Sequence, residues 1–143
     1  AVSVYTTNEP VQLKAQGYQL NEIRVADALQ LASNGLITNE QTIAKDPELV
    51  RRMNAAFLKG LADTLANPDE AYTISTKYVP DLSKQDAATQ KEILRRTMEL
   101  WKTSHLGLSD PTAWQNMQET LLKMGLLKQP LDLNKAFTNQ FVP

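Results

Sequence analysis

Three helix-start signals constrain the fold of this 143-residue chain more than any other feature of its sequence. In each signal a residue that can cap a helix is followed by proline, whose fixed φ and missing amide hydrogen suit the first helical turn. The three signals are Asp46-Pro47, Asn67-Pro68 and Asp110-Pro111. Ser83 and Asp86 have the spacing of a capping box and predict a fourth long helix, which continues to about residue 104. Residues 39–143 are therefore predicted to be helical.

The beginning of the chain has a different pattern. Residues 2–6, 22–26 and 35–38 are short, rich in β-branched side chains and bounded by turn residues, which predicts three short strands. A helix is predicted between the first two, over residues 10–16, and Gly17 is a suitable residue to end it. Because the chain opens inside the first strand, we expect it to be cut or processed. The predicted fold class is α/β, helix-rich, with two or three short strands.

Composition excludes several classes of function. The 15 basic and 16 acidic residues give a net charge of −1, unlike the basic surface of a general nucleic-acid-binding protein. Cysteine is absent, which excludes disulfides, thiolate metal sites and a cysteine nucleophile. His105 is the only histidine, and its predicted place at a helix end favours an interaction with the helix C-terminus. We therefore predict a protein that is not an enzyme and has no metal, no cofactor and no nucleic-acid partner.

The segment after the first predicted strand is the best candidate for a binding site. It contains Tyr5, Asn8 and Glu9 and leads into the helix that begins at Pro10. In α/β proteins, ligands bind beyond the carboxyl ends of strands. An asparagine amide donates and accepts hydrogen bonds, a carboxylate accepts them, and a tyrosine ring can stack on a flat ligand. The trio therefore suits a small nitrogen heterocycle, whereas the alternative is that Asn8 and Glu9 only cap the helix; the pattern alone leaves both open.

Several segments, in the same order along almost the whole chain, resemble periplasmic solute-binding proteins for pyrimidine precursors of thiamine. The segments are residues 5–11, 34–40, 46–53, 66–72 and 114–143. The resemblance implies the substrate-binding component of an ABC importer, with a type II periplasmic-binding-protein fold. In that fold a small molecule occupies the cleft between two lobes, and closure signals to the permease. The resemblance also implies an extracytoplasmic location and a ligand such as hydroxymethylpyrimidine.

By matching position, this resemblance implies that Tyr5, Asn8 and Glu9 line the cleft and that Asn34 is a further candidate. Two-lobed members are about twice as long as this chain, because each lobe is itself a domain. The chain resembles their C-terminal half. Its expected parts are a βαβ-like remnant of the second lobe, the crossover between lobes and the helical part of the first lobe. These correspond to residues 1–28, 29–38 and 39–143.

The expected partners are a small-molecule ligand, an ABC permease, and either a missing N-terminal half or a second copy of the chain. One alternative is a helical protein–protein interaction module that derives from this fold but does not bind a ligand. Another is a pyrimidine-synthesising enzyme of the same fold. The resemblance implies that such an enzyme relies on histidine and iron chemistry, which His105 alone makes a poor match.

Overall fold

The computed structural model describes residues 1–143 and contains six α-helices and three short 3₁₀ turns. The α-helices are α1 (Glu9–Ala15), α2 (Glu40–Lys45), α3 (Pro47–Ala66), α4 (Pro68–Tyr78), α5 (Ala87–Trp101) and α6 (Pro111–Lys123). The 3₁₀ turns are Val25–Asp27, Leu82–Lys84 and Leu133–Lys135. None of the helices combines the length and the apolar character that crossing a membrane requires.

The three helix starts predicted from proline are confirmed, and each has a side-chain cap. Asp46 accepts a hydrogen bond from the backbone of Leu49 at 2.9 Å, in the first turn of α3. Asn67 caps α4 and Asp110 caps α6 in the same way. These bonds satisfy amide groups that have no partner inside the helix, so local sequence is sufficient to place these starts.

Two glycines end their helices as the sequence predicts. At the end of α1, Gly17 has φ +90°, and the amide of Tyr18 donates to the carbonyl of Leu13 at 3.1 Å. Gly125 has φ +72° and ends α6 through the same pattern of hydrogen bonds. This is the Schellman arrangement, in which a left-handed residue lets the chain turn back and satisfy the last carbonyls of the helix.

The start predicted for α5 is wrong by several residues. Ser83 belongs to a 3₁₀ turn, and the cap of α5 is Asp86, which accepts a hydrogen bond from Thr89 at 2.8 Å. The helix ends at Trp101 rather than near residue 104. Ser83 and Asp86 both have side chains that can cap a helix. The choice between them depends on the turn after α4, where Asp81 adopts a left-handed φ of 61°.

The predicted strands are absent, which corrects the α/β assignment: the protein is helical, with extended or irregular segments between the helices. Residues 2–4, 22–24 and 35–38 have no regular secondary structure, and residues 25–27 form a 3₁₀ turn. Their apolar side chains are exposed, with Val2 at 80%, Ile23 at 95% and Ile37 at 98%. A strand requires a neighbouring strand to pair with its amides and carbonyls, and no two of these segments pair.

The structure divides into two compact units, each made of two stretches of chain. The first contains residues 1–23 and 59–106, and in it α5 packs against both α1 and α4. The Nζ atom of Lys91 on α5 lies 2.6 Å from an Asp69 carboxylate oxygen on α4 and 5.5 Å from the centre of the Tyr72 ring. Met98 on α5 and Val11 on α1 are its buried apolar residues.

The second unit contains residues 24–58 and 107–143, and its C-terminal segment is held by side chains of α3 and α6. Phe141 is buried, and the guanidinium of Arg51 lies 5.2 Å from its ring centre. Asn54 donates to the carbonyl of Phe141 at 3.0 Å. Trp114 on α6 stacks on Phe137, with ring centres 5.2 Å apart. These contacts explain why an irregular C-terminal segment has a defined position.

The hydrophobic core is small for a chain of this length. Its buried apolar side chains are Val11, Leu58, Met98, Ala113 and Phe141. The accessible surface is 11081 Å². A self-contained monomer of this mass would expose about 7,400 Å², and two separate domains of half the mass would together expose about 8,900 Å². The chain therefore exposes more surface than self-contained domains do, whichever comparison is used.

Candidate ligand-binding site

The three N-terminal candidates, Tyr5, Asn8 and Glu9, occupy a turn that leads directly into α1. The amide of Asn8 donates to the carbonyl of Tyr5 at 3.1 Å, which closes the turn. The Tyr5 side chain is 65% exposed, so its ring is available to stack on a ligand. The turn is anchored by the residues that follow, because Pro10 and Val11 are buried and α1 packs against α5. A rigid element therefore supports all three candidates.

Asn8 occupies the N-cap position of α1, but its side chain accepts no hydrogen bond from the helix backbone. Its Oδ1 atom instead accepts from the Nε2 atom of Gln12 at 2.7 Å. Gln12 was not among the predicted site residues, although its four-residue spacing from Asn8 is a signal for such a pair. The contact orients the Asn8 amide and leaves its nitrogen available as a donor. The alternative that Asn8 serves as a side-chain cap is therefore not supported.

Glu9 is the first residue of α1, where a negative charge interacts favourably with the helix dipole. Its Oε2 atom is shielded from solvent and has no hydrogen-bond donor. A shielded acceptor without a donor costs about 1–3 kcal/mol, and native structures contain few such groups. A ligand that donates a hydrogen bond to this oxygen would remove that cost. Helix capping explains the position of Glu9 but does not explain the unpaired oxygen.

Asn34 is not part of this cluster. It is an exposed residue of the irregular segment between the 3₁₀ turn at residues 25–27 and α2, and it belongs to the second unit. The first unit contains Tyr5, Asn8 and Glu9. Its role in ligand binding stays a prediction.

No arrangement typical of hydrolytic catalysis or of a metal centre is present. His105 is exposed, and its Nδ1 atom lies 3.1 Å from the Ser104 hydroxyl oxygen, with no carboxylate as a third member. The residue lies beyond the end of α5 at Trp101, so the predicted interaction with that helix terminus is not formed. No group of three or more histidine, cysteine, aspartate or glutamate side chains is arranged to hold a metal ion.

Two shallow grooves lie on the α4–α5 pair, and neither is lined by Tyr5, Asn8 or Glu9. The larger has a volume of about 230 Å³ and lies between Tyr72 and Ile93. The candidate cluster is therefore an open surface rather than an enclosed pocket. A small-molecule site normally buries most of its ligand, so a ligand held here would need a second wall.

Comparison with known proteins gives two matches. Residues 1–71, which include all four candidate residues, match the family model described as "NMT1/THI5 like". The riboflavin-binding protein RibY of Chloroflexus aurantiacus is 42% identical over 144 residues, covering 97% of this chain and 41% of the relative. This chain therefore spans about two fifths of the length of that curated relative. On these two matches, the chain belongs to the NMT1/THI5-like family of solute-binding proteins.

Proposed function

We propose that this chain is a portion of the substrate-binding component of an ABC importer and that it contributes Tyr5, Asn8 and Glu9 to a site for a flat nitrogen heterocycle. The observation that carries the proposal is the shielded Oε2 atom of Glu9, which lacks a donor. A ring N–H or exocyclic amine of a ligand would supply that donor. The exposed Tyr5 ring would cover the ligand's flat face, and the oriented amide of Asn8 would add a polar contact.

Two ligands have this chemistry. Riboflavin carries a flat ring system with a ring N–H, and the name of the 42% identical relative favours it. The hydroxymethylpyrimidine precursor of thiamine carries an exocyclic amine, and the order of sequence motifs in this chain favours it. Because the relative covers 97% of the chain, riboflavin is the first ligand to test.

The proposal includes an extracytoplasmic location, an ABC permease as partner, and no enzymatic activity. Both matches support the last point, because one is to a binding protein and the other to a solute-binding family. We also propose that residues 1–28 contribute to one lobe, residues 29–38 cross between lobes, and residues 39–143 contribute to the other lobe. A second polypeptide region would then supply the wall that the open cluster lacks.

The experiment is a calorimetric titration of riboflavin and of hydroxymethylpyrimidine. The protein is this chain, alone and mixed with a polypeptide that supplies the remaining part of the riboflavin-binding relative. Glu9→Gln keeps the side-chain shape but replaces a charged acceptor, so we expect binding to weaken at least about tenfold. Glu40→Gln is the matched control, because Glu40 is also the first residue of its helix, α2, but is fully exposed. Equal affinity in the two variants, or no binding in either mixture, would contradict the proposal.

A second candidate function is a helical interaction module that no longer binds a ligand. The observation in its favour is the exposed apolar face of α3, where Leu49, Met53 and Phe57 are each more than two-fifths exposed. The same titration separates the two functions, because an interaction module would bind its partner but neither heterocycle.

A further inference from the structure

One side of α3 carries an apolar stripe that nothing in the chain covers. It consists of Leu49, Met53, Ala56 and Phe57, and we call it the α3 stripe. Leu49 is 47%, Met53 57% and Phe57 44% exposed. Their four-residue spacing predicts that they face the interior of the protein. A different side of the helix is covered instead, the side that carries the buried Leu58.

The α3 stripe belongs to a chain whose total exposed surface is unusually large. The accessible area of 11081 Å² exceeds the roughly 8,900 Å² of two separate half-size domains by about 2,200 Å². One side of a standard protein–protein interface buries about 800 Å². The excess is therefore large enough for a stable interface, and an apolar helix face is the kind of surface that such an interface buries.

The length of the relative indicates what covers the stripe. The chain matches 41% of the riboflavin-binding protein while aligning over 97% of its own length. About three fifths of the relative therefore has no counterpart in this chain. A second copy of the chain would not supply those missing residues, whereas a polypeptide equivalent to them would.

The charge beside the stripe adds a constraint on the partner. Arg52 lies next to the stripe, is exposed, and has no ion pair in this chain. In a two-fold contact between identical chains the same surface meets itself, so each copy would present an Arg52 and a stripe that contains no carboxylate. A partner with a carboxylate at the rim of its apolar patch is a better match.

We propose that the α3 stripe is the docking surface for a polypeptide equivalent to the remaining three fifths of the relative, with an apolar patch and a carboxylate that reaches Arg52. The inference rests on the proposed function, since it assumes a binding protein completed by a second polypeptide region. It goes further by assigning that contact to one side of one helix.

The test measures the affinity between this chain and the remaining part of the riboflavin-binding relative, expressed as a separate polypeptide. Met53→Asp/Phe57→Asp places two carboxylates in the stripe, and we expect at least about 100-fold weaker association. Ala55→Asp is the matched control, because Ala55 is exposed on the opposite side of α3, and it is expected to leave affinity within about twofold. Circular dichroism of each variant establishes that the helices are retained.

Three results would overturn the inference: no association with the unmodified chain, equal affinity in the stripe and control variants, or a dimer of this chain that the stripe substitutions dissociate. Riboflavin and hydroxymethylpyrimidine binding are measured on the same complex. A complex that binds a heterocycle but tolerates the stripe substitutions overturns only this inference. A complex that depends on the stripe but binds neither heterocycle overturns only the proposed function.

Discussion

Gly107 meets two separate demands in the second unit, and replacing it with alanine separates them. Its φ of +91° lies in the left-handed region, which costs a residue with a side chain about 1 kcal/mol. A Cβ atom at this position would lie 2.6 Å from Cδ2 and 2.9 Å from Cδ1 of Leu58. Because Leu58 is buried, it cannot move away without disturbing its own packing, which costs about 1–2 kcal/mol. We expect Gly107→Ala to lower the free energy of unfolding by about 2–3 kcal/mol.

Two other glycines serve as controls for this prediction. Gly125 also has a positive φ, of +72°, but a Cβ atom there would meet nothing within 4 Å. Gly125→Ala therefore measures the backbone cost alone, about 1 kcal/mol. Gly60 lies inside α3 in open space, so Gly60→Ala should stabilise the protein by about 0.5–1 kcal/mol.

The assay is urea unfolding followed by far-UV circular dichroism. If Leu58 is the obstacle, Gly107→Ala should cost only the backbone term of about 1 kcal/mol when it is introduced into a Leu58→Ala background. A loss in Gly107→Ala no greater than that in Gly125→Ala would refute the steric part of the reasoning.

Three further predictions concern the tail, a salt bridge and a cap. Phe141→Ala should lower the free energy of unfolding by about 3 kcal/mol and expose the C-terminal segment to proteases, because a buried ring is lost; an unchanged digestion pattern would contradict this. Hydrogen bonds from Arg95 and Arg96 lower the pKa of Glu92 to about 2. Its stabilising contribution, below about 1 kcal/mol for a surface pair, is therefore full above pH 5 and lost as the pH falls toward 2. The difference in urea midpoint between the wild type and Glu92→Gln should thus shrink between pH 7 and pH 3, and a constant difference would count against it. Asp110→Ala should cost about 1 kcal/mol by uncapping α6, and Asp110→Asn much less; thermal unfolding would detect the reverse order.

The parts of the fold that were predicted correctly depend on contacts between residues close in sequence. The cap at Asp110 requires only that its side chain reach the amide of Thr112, two residues later. The left-handed turn at Gly17 requires only the last carbonyls of α1. Such contacts form wherever the local sequence allows them, so the sequence alone is sufficient to place them.

The candidate site was predicted in part. Tyr5, Asn8 and Glu9 do lie together in one turn, because they are adjacent in sequence and precede a helix. The contact of Asn8 with Gln12 and the unpaired oxygen of Glu9 were not predicted. Both depend on how the side chains pack once α1 lies against α5, which no pattern of residue types specifies.

The sequence by itself determined the helices, their caps and the family, since each is carried by short segments or by the order of such segments along the chain. The tertiary structure alone decided that residues 2–6, 22–26 and 35–38 form no sheet and that the α3 stripe has no cover. A strand and an apolar face both require a partner that is distant in sequence. Local preference therefore specifies what such a segment can become, and the presence or absence of the partner specifies what it is.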